Sequence, residues 1–246
     1  MAALFISDCH LSAARPGPLE EFLGLMAGPA RAMEAVYILG DLFDLWLGDD
    51  DDAPGHDEVM AALGRAAAAG TAVYFMRGNH DFLAGDGFAR RSGCRLLEDP
   101  TVATVAGHEV LLMHGDTLCL DDVDYQAFRA RTRSQEFTAD FLARPLGERR
   151  RLAADIRDQS LAAVAAKAPA TMDATPRAVE DAFRRHGTAY MIHGHTHRPA
   201  VHRHRVDGRT ATRIVLDDWY EAGSGLLWEE AGFRPVTLST LLANDH

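Results

Sequence analysis

Cysteine is scarce in this chain of 246 residues. Only Cys9, Cys94 and Cys119 occur, an odd number with no C-x-x-C spacing. That excludes a disulfide framework and fits a reducing cytosol. Basic charge is also short. The formal net charge of −11 would repel a polyanion, so nonspecific nucleic-acid binding is excluded and no nucleic-acid partner is expected. Long apolar runs are missing: no stretch approaches the roughly 18 residues of a membrane-spanning helix. Before Asp8 and His10 there is no basic start and no cleavage-site pattern, so a signal peptide is not expected. The expected location is the cytoplasm, with peripheral membrane contact left open. Lysine is reduced to Lys167 alone, and no internal repeat or low-complexity tract occurs.

What is present suits a soluble globular protein, 47% apolar and 25% charged. The length fits one large domain, or a domain with an inserted cap. Short apolar runs at residues 3–6, 35–39, 71–76 and 189–192 read as buried strands, and 102–105 with 109–113 as a hairpin. Helices are expected at residues 19–26, 57–69, around 88–91 and at 179–185. Residues 200–205, 212–216, 225–228 and 235–238 read as antiparallel strands. Residues 49–52, all aspartate, read as a solvated acidic loop.

Residues 121–168 change character. Tyr125, Phe128, Phe137, Phe141, Leu142, Leu152 and Ile156 recur at helical spacings, among eight arginines and Lys167. This predicts a basic, amphipathic, helical insertion, with residues 169–176 as its exit loop. The aromatic stripe either packs the helices together or lines an apolar slot. The arginines form either a solvated face or a phosphate-binding rim, and they also suit anionic lipid.

The strand-like runs repeatedly end in metal-binding residue types. Asp8 and His10 follow the first, Asp41 the second, Asn79 and His80 the third. His114 follows the hairpin, and His193, His195 and His197 follow the last. Singly, an Asp after a strand is more often a turn residue, and a lone His more often a core residue. Together they fit loops converging at the carboxyl ends of strands. A pair of divalent cations about 3.5–4 Å apart needs a bridging carboxylate and terminal ligands. Imidazoles favour Mn, Fe, Zn or Co over Ca or Mg. Asp81 is placed to orient the His80 ring.

The ordered set D-x-H, G-D, G-N-H-D, H-G-D and G-H-T-H resembles the calcineurin-like metallophosphoesterases over nearly the whole chain. Residues 37–43, 46–50, 114–119, 125–129 and 192–202, with Asp122, resemble the branch that hydrolyses UDP-2,3-diacylglucosamine in lipid A biosynthesis. The resemblance implies an α/β (α+β) fold, a four-layer αββα sandwich of two mixed sheets flanked by helices. Residues 1–120 and 169–246 would form the core, and 121–168 a helical cap for the acyl chains. Two Mn2+ ions per chain are implied: Asp8, His10 and His197 holding one, Asn79, His114 and His195 the other, Asp41 bridging. Asn79, His80 and His195 would be catalytic and would touch substrate, with Asp122, Ser160 and Lys167. The implied products are UMP and 2,3-diacylglucosamine 1-phosphate, from a metal-bridging hydroxide attacking the α phosphorus. A monomer is expected, peripheral on the cytoplasmic face of the inner membrane.

One position departs from the branch. It usually carries Arg where this chain has His80, as the wider superfamily commonly does. Arg grips phosphate bidentately and His cannot. His80 therefore has two roles open: stabilising charge or protonating a leaving oxygen, or supporting the site from behind. The same departure keeps another dinuclear-metal phosphodiesterase, for example one acting on cyclic nucleotides, as the alternative. A noncatalytic binding module is disfavoured, because every expected ligand is present.

Overall fold

The computed structural model describes residues 2–243. The first three apolar runs become β1 (Ala3–Ile6), β2 (Ala35–Leu39) and β3 (Ala72–Met76), followed by a short β4 (Arg95–Leu97). These four pair in parallel. β1 and β2 are buried at every position, which is why they read as unbroken apolar runs with no alternation. Parallel neighbours need crossovers, here α1 (Pro16–Ala27), α2 (His56–Ala68) and α3 (Asp86–Ser92). α1 starts at Pro16, earlier than the periodicity suggests, because proline fits the first turn, where no N–H partner is needed.

The second sheet holds β5 (Thr101–Val105), β6 (His108–Leu112), β7 (Tyr190–His193), β8 (Ala200–Val206) and β9 (Arg209–Val215) in the order β5-β6-β7-β9-β8. β10 (Ser224–Glu229) and β11 (Gly232–Thr237) return to the first sheet, giving β11-β10-β1-β2-β3-β4. The expected run of antiparallel strands over 200–238 is thus two hairpins in two different sheets. β9 also lies parallel to β7. The segment between β9 and β10 crosses from one sheet to the other and is anchored by Trp219 N–H on the carbonyl of Asp8.

The predicted insertion is helical: α4 (Val123–Thr132), α5 (Gln135–Leu142) and α6 (Leu146–Ala166). The Asp122 and Ser134 side chains cap the first two by accepting from Tyr125 N–H and Phe137 N–H. α7 (Pro176–His186) follows, capped by Thr175 and stopped at Gly187. A short α8 (Leu238–Ala243), not foreseen in the sequence, closes the described chain.

Side-chain alternation sorts these elements into four layers. Phe5, Tyr37 and Leu39 face Leu112, Ile192 and Ile214 between the sheets, with Phe5 and Tyr37 stacked at 4.8 Å. Leu4, Ile6 and Ile38 point the other way, under Phe22, Leu63 and Phe88 of α1–α3. Leu111 and Met191 on the far face of the second sheet pack under Val179 and Phe183 of α7. The expected αββα sandwich is what forms. Among the described residues no helix is long and apolar enough to cross a membrane.

Candidate metal centre

The loops after β1, β2, β3, β6 and β7 meet at one end of the two sheets. Three groups of side chains form there, each with ligand atoms within 4.8 Å of one another: Asp8, His10 and His197; His10, Asp41 and His80; Asp41, His114 and His195. They overlap, sharing His10 and then Asp41. Asp41 therefore sits between two clusters, as a bridging carboxylate must. His114 Nε2 lies 3.7 Å from Asp41 Oδ2 and 2.9 Å from Asn79 Oδ1, which adds a neutral oxygen.

The backbone is strained where these residues stand. Asp8, His10, Asp41, His195 and His197 all have left-handed φ angles, between 46° and 66°. Such conformations cost on the order of 1–3 kcal/mol each and persist only when the surroundings over-determine them. Here they are held by backbone bonds from Asp8 to Gly40, from His10 to Asp41 and from Trp219 to Asp8. The cores on either side supply the margin, at about 1.5–3 kcal/mol per fully buried large apolar side chain. Gly78 belongs to this packing: a Cβ there would overlap the carboxylate and backbone nitrogen of Asp41.

Cation binding fits the donor chemistry. Both ring nitrogens of His10 are buried with no hydrogen-bond partner, a costly arrangement unless something else satisfies them. His114 Nδ1 donates to the carbonyl of Leu39 at 2.9 Å. That leaves the Nε2 lone pair facing the Asn79 and Asp41 oxygens, an all-acceptor set that a cation joins. Burial pushes the Asp8 and Asp41 carboxyls up, but the histidines around them win and hold both below the usual range. With no cation, burial opposes charge on His114, yet Asp41, Asp116 and Asp8 raise it to about 9. Burial next to His114 lowers His195 to about 4, keeping it neutral.

Several sequence expectations change. His193 does not join the cluster. As the last residue of β7 it is buried on the α7 side, with Nδ1 at 2.8 Å from Gly194 O and Nε2 at 3.4 Å from Arg213. Asp81 does not orient His80. It is fully buried and accepts from the N–H groups of Gly78 and Leu42 at 2.7 Å, fixing the loop that carries Asp41. His80 Nδ1 instead takes the carbonyl of Asp44 at 2.7 Å, which leaves Nε2 to the cluster.

The acidic stretch 49–52 is solvated only in part: Asp50 and Asp52 are exposed, while Asp49 and Asp51 turn inward. Asp51 is only 3% exposed and accepts from Leu47 N–H and Arg150 at 3.1 Å each. Asp49 accepts from Gly85 and Gly87 N–H at the start of α3. Asp50 pairs with the buried Arg149 and Asp52 with Arg150. Nor are the insertion's arginines simply a solvated face or a rim: Arg129 and Arg133 converge on the buried Asp116, and Arg157 binds Asp44. Phe141 is buried in the core beside Phe137, so this part of the stripe packs helices. Lys167 pairs with Asp122 at 2.6 Å, while Ser160 is exposed on α6. Asp218 was missed altogether. Its Oδ2 lies 3.4 Å from His197 Nδ1, and an Asp-Asp pair after a strand gives no distinguishing signal in sequence.

Comparison with known proteins shows the family. The family model described as calcineurin-like phosphoesterase matches residues 1–199. A UDP-2,3-diacylglucosamine hydrolase of Aromatoleum aromaticum is 48% identical over 97% of both chains. Proteins of the same name from Stenotrophomonas maltophilia and Klebsiella pneumoniae are 46% identical over 97% of this chain and 99% of theirs, and 48% identical over 91% and 93%. A solved archaeal phosphodiesterase superposes with a TM-score of 0.50 at 11% identity, covering 96% of this chain and 99% of its own, and so shares the fold.

Proposed function

The chain belongs to the calcineurin-like phosphoesterase family and is a hydrolase, and on that premise we propose that its substrate is UDP-2,3-diacylglucosamine. The reaction is hydrolysis of the pyrophosphate to UMP and 2,3-diacylglucosamine 1-phosphate, a step of lipid A synthesis. What carries this reading is near-full-length identity to relatives of that name, joined to a ligand cluster with Asp41 at its centre. Asp8, His10 and His197 would hold one Mn2+, Asn79, His114 and His195 the second, with Asp41 shared. When bound, the ions supply an acidified water and neutralise phosphoryl charge.

The chain's own groups do the rest. A solvent oxygen adds to the phosphorus nearer uridine, and the bond to the bridging oxygen breaks, leaving that oxygen on the lipid phosphate. His80, its Nδ1 fixed by Asp44, presents Nε2 toward the reacting centre and stabilises charge on the departing oxygen. Asn79 and His195 position the phosphate. Residues 121–168 act as the acyl cap. Val123 and Val164 are exposed there, 69% and 45%; Val123 follows Asp122 and Val164 stands three residues before Lys167. They are better placed for acyl chains than the buried Phe141. Asp122, Ser160 and Lys167 contact the glucosamine end. The protein works as a monomer touching the cytoplasmic face of the inner membrane, where such a lipid resides.

The test is hydrolysis with manganese in oxygen-18 water. The label is expected in UMP, and label in the lipid phosphate would overturn the site of attack. His80 also favours a second reading, a phosphodiesterase for small diesters. Faster turnover of a cyclic nucleotide than of the lipid would favour that alternative.

A further inference from the structure

The loop between β9 and β10 borders an open cavity of about 340 Å3 beside the His197 end of the centre. Its lining includes Asp217, Asp218, Tyr220, Glu221, Ser224 and Thr237. Two of these residues touch the metal centre directly. Asp218 backs His197, and the Tyr220 ring stacks on His10 with centroids 5.4 Å apart and planes within 10°. Tyr220 is nevertheless 55% exposed, an aromatic surface left open at the edge of a reaction centre. Arg15 holds the ring, its guanidinium carbon 4.8 Å from the centroid. Ser224 adds a buried hydroxyl oxygen with no hydrogen-bond partner, an unusual state for such a group.

The first helix of the cap, α4, lies on the other side of the cluster. Tyr125 approaches His195, and Arg133 reaches the carbonyl of Gly78. A substrate cleaved between two phosphates has one substituent on each side of the reacting phosphorus. With the lipid arm under α4, the other arm leaves toward Tyr220. The cavity's chemistry fits a nucleoside and not a phosphate. Three carboxylates would repel an anion, but they accept hydrogen bonds from ribose hydroxyls. A flat base stacks on an aromatic ring, and a hydroxyl such as that of Ser224 donates to a base carbonyl.

We propose that this cavity holds the nucleoside half of the substrate, the base against Tyr220 and the ribose hydroxyls on Asp217 and Glu221. The proposal rests on the function stated above and names the place of one half of its substrate. It ranks Tyr220 and Ser224 as residues that select a nucleotide over a plain phosphate ester.

The experiment is titration calorimetry of the full, manganese-loaded chain with UMP and, separately, with inorganic phosphate. Base–aromatic stacking is lost in Tyr220→Leu, which is expected to weaken UMP by about tenfold or more relative to phosphate. Tyr220→Phe keeps the ring and is expected to keep the wild-type ratio. Ser224→Ala is expected to lower the ratio less than Tyr220→Leu. An unchanged ratio in Tyr220→Leu overturns the proposal. So does an equal loss of both ligands, which would make Tyr220 a support for His10 alone. Failure of the wild-type chain to hydrolyse UDP-2,3-diacylglucosamine overturns the function itself. Hydrolysis combined with an unchanged ratio overturns only the cavity.

Discussion

Asp218 stands behind His197 in a carboxylate–imidazole–carboxylate line: Asp218 Oδ2 lies 3.4 Å from Nδ1, and Asp8 Oδ1 lies 3.4 Å from Nε2. A carboxylate on the far nitrogen fixes the tautomer and raises the basicity of the ligating one. Asp218→Asn is therefore expected to weaken divalent-metal binding by about 10–100-fold with the fold intact. Manganese titration calorimetry alongside circular dichroism checks it, and wild-type affinity in the variant would remove Asp218 from the site.

Gly78 and Asp41 occupy space that allows no side chain between them. Gly78→Ala must displace the carboxylate shared by two of the clusters. The expected result is loss of hydrolysis by about 100-fold or more, consistent with the sensitivity of such reactions to misplacements near 1 Å. Steady-state kinetics at saturating manganese reads this directly.

Asp116 ties the cap to the core. It is fully buried and accepts from Tyr125 Oη at 2.9 Å, Arg129 Nε at 2.7 Å and Arg133 at 3.3 Å. Removing the charge strands two arginines, each about a fifth exposed. Breaking a buried pair costs about 3–5 kcal/mol, and partial exposure brings the expected loss for Asp116→Asn to about 2–3 kcal/mol. Urea denaturation of the metal-free protein measures it.

His56 makes the scaffold sensitive to acid. Its ring packs against Phe43 at 4.5 Å and Trp46 at 4.9 Å. Burial lowers its pKa below 6.5, although Asp51 pulls the other way. A depressed folded-state pKa means that this stability is complete above pH 6.5 and is lost as the pH falls below it. In EDTA, His56→Leu is expected to show a smaller drop in Tm between pH 7.5 and 5.5 than wild type. Equal drops would mean that His56 does not titrate against the fold.

The parts visible in sequence were those encoded over short distances. β1, β2 and β3 are unbroken apolar runs, and each gives way within a few residues to Asp8, Asp41 or Asn79, so element and ligand share one local pattern. What stayed hidden depends on partners far along the chain. Asp51 looks like a solvent-facing charge until Arg150, about a hundred residues later, arrives on α6. Asp81 is next to His80 in sequence but turns under the Asp41 loop. His193 shares the alternation of His195 and His197, yet it is still in strand and points to the opposite face.

The central claim is that Asp41 stands between two cations held by loops from both sheets. Crystals grown with manganese and measured at its absorption edge test this most directly. Two anomalous peaks about 3.5–4 Å apart are expected, both within bonding distance of Asp41. A lone peak, or peaks away from Asp41, would contradict the account.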